Sequence, residues 1–164
     1  MPVPFDPAQF RRACARFATG ITVATALAPD GSPHGFTANS FTSVSMEPPM
    51  VLICVDHRAN VLRHFADAKH FGVNILAEDQ EALSVRFAER GLDRFDGIDW
   101  HTGATGVPLL GGALARFECV TRQTLAAGDH TIILGEVLHA EWQEGAPLLY
   151  FASGYHTAQP RQRE

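Results

Sequence analysis

Cysteine is scarce in this chain, and its three copies, Cys14, Cys54 and Cys119, form no Cys-x-x-Cys pair. That excludes a thiolate zinc cluster and a disulfide framework, and it leaves reduced, inert thiols of the kind expected in a cytoplasmic protein. The eight histidines contain no His-Glu-x-x-His and no His-x-x-x-His, so no metal is expected. Lysine and arginine number 13 against 18 acidic residues, with no basic run, which removes the footprint of a nucleic-acid binder. No apolar run approaches the roughly 20 residues of a membrane helix, and the N-terminus lacks a basic-then-apolar leader pattern. Gly-x-Ser-x-Gly, Gly-x-Gly-x-x-Gly and the phosphate-loop motif are missing. Neither a hydrolase elbow nor a Rossmann crevice is signalled, so any nucleotide must bind on another scaffold.

What is present has the balance of an ordinary globular chain, 46% apolar and 19% charged, and 164 residues are expected to form one domain, 1–164. Asp6-Pro7 predicts a helix start, and Phe10, Ala13, Cys14 and Phe17 recur on one helical face, with Gly20 as the stop. Ile21 to Leu27 reads as a strand, turned back at Pro29-Asp30-Gly31. Val61, Leu62 and Phe65 begin a short helix, Phe71 to Leu76 is strand-like, and Glu78 to Arg90 is an amphipathic helix with Leu83 and Phe87 inward. Gly91 to Leu110 reads as loop around an isolated Trp100. Leu114 to Leu125, Thr131 to Trp142 and Pro147 to Phe151 read as strands, with Ala127-Gly128-Asp129 a hairpin turn between the first two. Strands without βαβ alternation predict a mainly β protein with short helices, an antiparallel barrel with the helices packed outside.

Two stretches carry the functional signal. Gly35 to Ser45, GFTANSFTSVS, reads as a strand with hydroxyls on both faces at Thr37, Ser40, Thr42, Ser43 and Ser45. Such density suits a backbone facing a polar ligand, or the wet surface of an edge strand. Two prolines follow, then Met50 to Val55, which is apolar at every position and predicts a central strand buried on both faces. After it, Arg58 in the polar break Asp56 to Asn60 suits a phosphate, or is a solvated loop charge. The second stretch, Gly128-Asp129-His130-Thr131-Ile132, is by itself a tight hairpin turn with a histidine entering the next strand.

Together these motifs resemble the short-chain flavin reductases, the reductase components of two-component flavin monooxygenases, over Phe10 to Thr157. The carriers are Thr-Ala-Asn-Ser-Phe-Thr-Ser-Val-Ser before two prolines, Gly-Asp-His-Thr-Ile with Gly135-Glu136-Val137 behind it, Gln80 to Ala88, and Gly154-Tyr155-His156. The resemblance implies an antiparallel split β-barrel and a homodimer with flavin at the subunit interface. It implies FAD or FMN as cofactor, NADH or NADPH as reductant, and a separate monooxygenase that receives reduced flavin. By the same resemblance Thr37, Ala38, Asn39, Ser40 and Ser45 belong to the flavin-ring segment. Cys54, Val55, Asp56, Arg58, Ala59 and Asn60 hold the ribityl and phosphate portion, approached by Ser84, Arg86 and Phe87 from the helix. His130 is the catalytic candidate beside the nicotinamide, with Tyr155 and His156 near the same pocket. One departure stands out: Leu125-Ala126 occupies the place of a His-Glu pair common in the family. It supports a second reading, a flavin-binding module without reductase activity; a third is a split barrel like pyridoxamine-phosphate oxidase acting on its own substrate.

Overall fold

The computed structural model describes residues 4–91 and 93–161. Asp6 Oδ1 accepts the Ala8 N–H at 2.8 Å and Pro7 takes the first helical position, which starts α1 (Pro7–Cys14). The helix stops at Cys14 and none of its residues is buried; Phe10 and Phe17 stand exposed. The expected apolar face therefore stands largely exposed. Gly20 is not the stop, since it belongs to the short strand β1 (Thr19–Gly20).

β2 (Thr22–Leu27) and β3 (Pro33–Ala38) form the expected hairpin, closed by a turn in which Gly31 takes φ 83°. The Gly35 to Ser45 stretch is not one strand. It divides into the end of β3, a corner at residues 39–41, and β4 (Thr42–Met46). Ser40 leaves the ladder there because its hydroxyl accepts the Cys54 N–H at 3.0 Å, from the middle of β5 (Pro49–Asp56). β5 also departs from expectation, because it lies second from a sheet edge. Val51, Ile53 and Val55 are buried, while Leu52 and Cys54 are only half-buried. An unbroken apolar run overstates burial here because the face carrying Leu52 and Cys54 is only partly covered by the described residues.

The chain continues through α2 (Leu62–Ala66), β6 (His70–Ile75) and α3 (Glu81–Ala88). The segment read as loop contains a small hairpin, β7 (Trp100–Thr102) with β8 (Pro108–Leu110). Trp100 is not isolated: its ring meets Phe95 edge-on at 5.6 Å, and Phe95 meets the fully buried Phe87 at 5.0 Å. β9 (Ala115–Ala127) and β10 (His130–Trp142) are the long central pair, and β11 (Leu148–Phe151) pairs with β12 (Gly154–Thr157).

The main sheet has seven strands in the order β3-β2-β6-β9-β10-β5-β4, every neighbouring pair antiparallel. Laid flat, its two edges would stand about 29 Å apart. Yet β3 and β4, the two edges, are joined only by residues 39–41, a span of at most about 14 Å. The sheet must therefore curl until its edges approach without pairing, which is the open barrel that the sequence predicts. Val51, Ile53, Val55, Phe65, Phe71 and Val73 fill the interior.

Gly135 marks how tightly that interior closes. A Cβ there would lie 2.5 Å from the Phe71 ring and 2.9 Å from the Cys119 Cβ, both fully buried. Gly135→Ala is expected to cost about 1–3 kcal/mol of stability, read as a lowered midpoint in denaturant unfolding. An unchanged midpoint would show that the ring yields.

Candidate active site

The curled edges leave an open cleft of about 860 Å³, in the upper part of the about 300–1,000 Å³ range of small-molecule sites. β3 and its corner form one wall, and the end of β5 with the loop to α2 forms another. The segment after α3 closes a third side, and His130 stands at the start of β10. The register puts His130 opposite Asp56, so the hairpin histidine and the end of β5 meet at one end of the cleft.

Of the residues singled out in the sequence, Thr37, Ala38, Asn39, Ser40, Cys54, Val55, Asp56, Ala59, Asn60, Phe87 and His130 all line this cleft. Thr37 Oγ1 donates to the Ser84 carbonyl at 2.5 Å, which fastens β3 to α3. Ser40 fastens the corner to Cys54, and Asn39 between them is left exposed. His130 Nδ1 lies 2.7 Å from Asp129 Oδ1. That contact orients the ring, and the imidazole in turn holds the Asp129 carboxyl below its usual range.

The structure does not bring the other six to the cleft. Ser45 lies on edge strand β4, opposite Met50. Arg58 turns outward, 77% exposed, with Nη2 2.8 Å from Asp56 Oδ2. Its guanidinium and backbone N–H keep that carboxylate ionised to well below the usual range. Ser84 is fully buried, its hydroxyl 2.9 Å from the Tyr155 hydroxyl, so this pair ties α3 to β12. Arg86 is spent on backbone, donating to the carbonyls of Arg94 at 2.9 Å, Asp93 at 3.1 Å and Asp96 at 2.5 Å. His156 Nε2 lies 3.2 Å from the Phe151 carbonyl across the β11–β12 turn. A sequence motif marks these residues, but Arg58, Ser84, Arg86, Tyr155 and His156 direct their polar groups to protein partners.

The cleft instead gathers cations that sequence reading missed: Arg63 from α2, and Arg90 and Arg94 after α3. Among the described residues the ion pairs are Arg58–Asp56, Arg116–Glu141, Arg122–Glu136 and His130–Asp129, and none of these three arginines joins one. Arg94 is half-buried and donates to the Gly35 carbonyl at 2.6 Å and to the Glu89 carbonyl. Burial lowers its pKa from a very high starting value, so it remains a cation without an anion. No local pattern announces Arg94; it arrives because Arg86 clamps the 93–96 segment.

A family model described as the flavin reductase like domain matches residues 14–159. The chain belongs to that family. An NADH-dependent FMN reductase from Agrobacterium fabrum is 45% identical over 146 residues, covering 89% of this chain and 83% of that one. The reductase component of a flavin-dependent trigonelline monooxygenase from Acinetobacter baylyi is 42% identical over 91% of this chain, which spans only 48% of its length. The solved structure of a Streptomyces globisporus NADH:FAD oxidoreductase, in complex with NAD and FAD fragments, superposes with a TM-score of 0.91. It shares 39% identity, covering 98% of this chain and 97% of that one.

The lining of this flavin reductase cleft fits a flavin chemically. Ala38, Ser40 and Ala59 are small enough to admit a flat ring, and the guanidiniums without carboxylate partners supply donors for phosphate. A further feature is a stacked pair of imidazoles, His34 and His64, with ring centroids 3.5 Å apart and planes 8° from parallel. Burial first, then His64, Arg63 and Arg94, holds the His34 pKa below its ordinary value against the opposing pull of Asp30. Burial and Arg63 lower His64, again against Asp30. Both rings thus take up protons less readily in the folded protein than in the unfolded chain. Stability from this pair is expected to be complete at neutral pH and to fall as pH drops below about 6.5. His64→Asn should flatten that part of the denaturation profile, and an unchanged slope would contradict the assignment.

Proposed function

We propose that this protein is an NADH-dependent flavin reductase that transfers a hydride from NADH to FAD or FMN and releases the reduced flavin to a separate monooxygenase. The observation that carries the reading is the cleft itself. The Thr37 to Ser40 corner, the end of β5 and His130 come from three distant parts of the chain and meet around one opening.

Bound flavin supplies the redox chemistry, accepting the hydride at its ring, and the protein supplies position and electrostatics. Ala38, Asn39 and Ser40 line the ring segment, where small side chains allow backbone groups to approach a ring edge. Cys54, Val55, Ala59 and Asn60 would flank the ribityl chain, and Arg94, which lines the cleft and keeps one N–H on each terminal nitrogen beyond its carbonyl bonds, would meet its phosphate. Arg86 is a positioning residue that holds the segment bearing Arg94. His130, oriented by Asp129, places the nicotinamide. None of these side chains acts as an acid or base. Cys119 is buried, its thiol pushed up to about 12 by that burial, and takes no part.

The active form in this reading is a homodimer. The exposed faces of α1 and β4 support it: Phe10 on α1 is 56% exposed and Met46 on β4 88%, and β4 is an open edge. Sedimentation is expected to give twice the chain mass of 17.8 kDa, and Met46→Glu is expected to shift it toward one. A wild-type protein of single-chain mass would contradict the dimer. Three free thiols, Cys14, Cys54 and Cys119, support a cytoplasmic setting. Consumption of NADH that depends on added flavin tests the central reading.

A further inference from the structure

β3 carries the cleft wall from Ala38, beside the Ser40 corner, to His34 at its other end, a distance of about 13 Å. His130 and Ser40 belong to the first end, since β10 pairs His130 with Asp56 and Ser40 bonds Cys54. The far end has a different chemistry. His34 from β3 stacks on His64 from α2, and Arg63 lines the cleft beside them.

The hydrogen bonds there fix which groups are still available. Ser32 Oγ donates to Asp30 Oδ1 at 2.6 Å, so at 3.0 Å it accepts from His34 Nε2. Arg63 Nε donates to His64 Nε2 at 3.2 Å, which places the His64 proton on Nδ1. Among the described residues, this leaves the His34 Nδ1 lone pair, the His64 Nδ1–H and the terminal nitrogens of Arg63 without partners. Among the described residues Arg63 has no carboxylate within an ion-pair distance, in a chain whose net charge is −5. A free guanidinium fork is matched to phosphate. A stacked planar pair offering one acceptor and one donor is matched to a purine, which stacks on such side chains and carries both donor and acceptor on its edge.

We propose that the far end of the cleft, built from Arg63 and the stacked His34–His64 pair, is a separate subsite for an adenosine diphosphate group. It rests on the reading of the near end as the flavin-ring site, and it predicts a preference for a dinucleotide over a mononucleotide. FAD and NADH both carry this group, so the source must be separated by experiment.

The probe is ADP alone, titrated by calorimetry into the wild-type protein, Arg63→Gln and the double variant His34→Ala/His64→Ala. Arg63 is exposed on α2, so its replacement leaves the core packing intact even if the double variant folds poorly. ADP is expected to bind the wild type and to bind each folded variant about tenfold more weakly. Flavin fluorescence quenching then names the source. If FAD affinity falls about tenfold in Arg63→Gln while FMN moves by less than about twofold, the subsite holds the flavin's adenylate. If both flavins are unchanged while ADP displaces NADH from the wild type only, it holds the pyridine nucleotide. ADP that fails to bind, or binds wild type and Arg63→Gln alike, overturns the subsite. A wild-type protein that binds ADP but neither flavin would instead overturn the flavin reading of the near end.

Discussion

Replacing Arg94 by alanine is expected to weaken binding of either flavin by roughly 10- to 100-fold, the loss of a charge-assisted contact in a partly desolvated site. Arg94 is half-buried, lines the cleft and has no carboxylate partner among the described residues. It also donates to the Gly35 and Glu89 carbonyls, so it braces β3 against the segment after α3. Arg94→Lys keeps the charge but loses the planar fork that makes both contacts at once, and should fall between wild type and alanine. Arg58→Ala provides the contrast. Its side chain points to solvent and pairs with Asp56, so flavin affinity should change by less than about twofold. Fluorescence titration measures all three. A large loss at Arg58 with none at Arg94 would restore the assignment that the sequence motif favoured.

His130→Ala is expected to raise the apparent KM for NADH about tenfold while leaving flavin affinity within about twofold. The ring stands at the cleft end opposite Arg63 and His64, beside the Gly128–Asp129 turn, and Asp129 holds it at 2.7 Å. Losing it removes a group that places the reductant and leaves the corner at Ser40 untouched. Asp129→Asn should give a smaller rise in KM, because it alters the orientation of the ring without deleting it. If flavin affinity collapsed in His130→Ala, the residue would belong to the flavin and the two ends of the cleft would be wrongly divided.

Much of this architecture was legible in the residues, and the failures share a cause. Hairpins announced by turn chemistry, at Pro29-Asp30-Gly31 and Gly128-Asp129, formed where predicted, because those signals are local. Thr37 to Ser40 could be named, and so could Cys54 to Asp56 with Ala59 and Asn60, as parts that meet at one cleft, but not the corner that splits Gly35 to Ser45. A corner between two edges of one curled sheet is a property of the whole sheet. Periodicity counted Met50 to Val55 as doubly buried, whereas β5 lies second from a sheet edge and leaves Leu52 and Cys54 half-buried, a placement set by the whole sheet. The arginines show the same limit. Arg58 and Arg86 sit in recognisable motifs yet spend their donors on Asp56 and on loop carbonyls. Arg63 and Arg94 sit in no motif, and tertiary folding alone delivers them to the cleft. The His34–His64 stack joins residues thirty positions apart, and no window along the chain could have shown it.

The most direct test follows the near-ultraviolet absorbance of NADH over the purified protein, with FAD and FMN added in turn. The account predicts rapid loss of absorbance that requires added flavin. No loss with either flavin, repeated with NADPH as reductant, would contradict reductase activity and leave a flavin-binding module in its place.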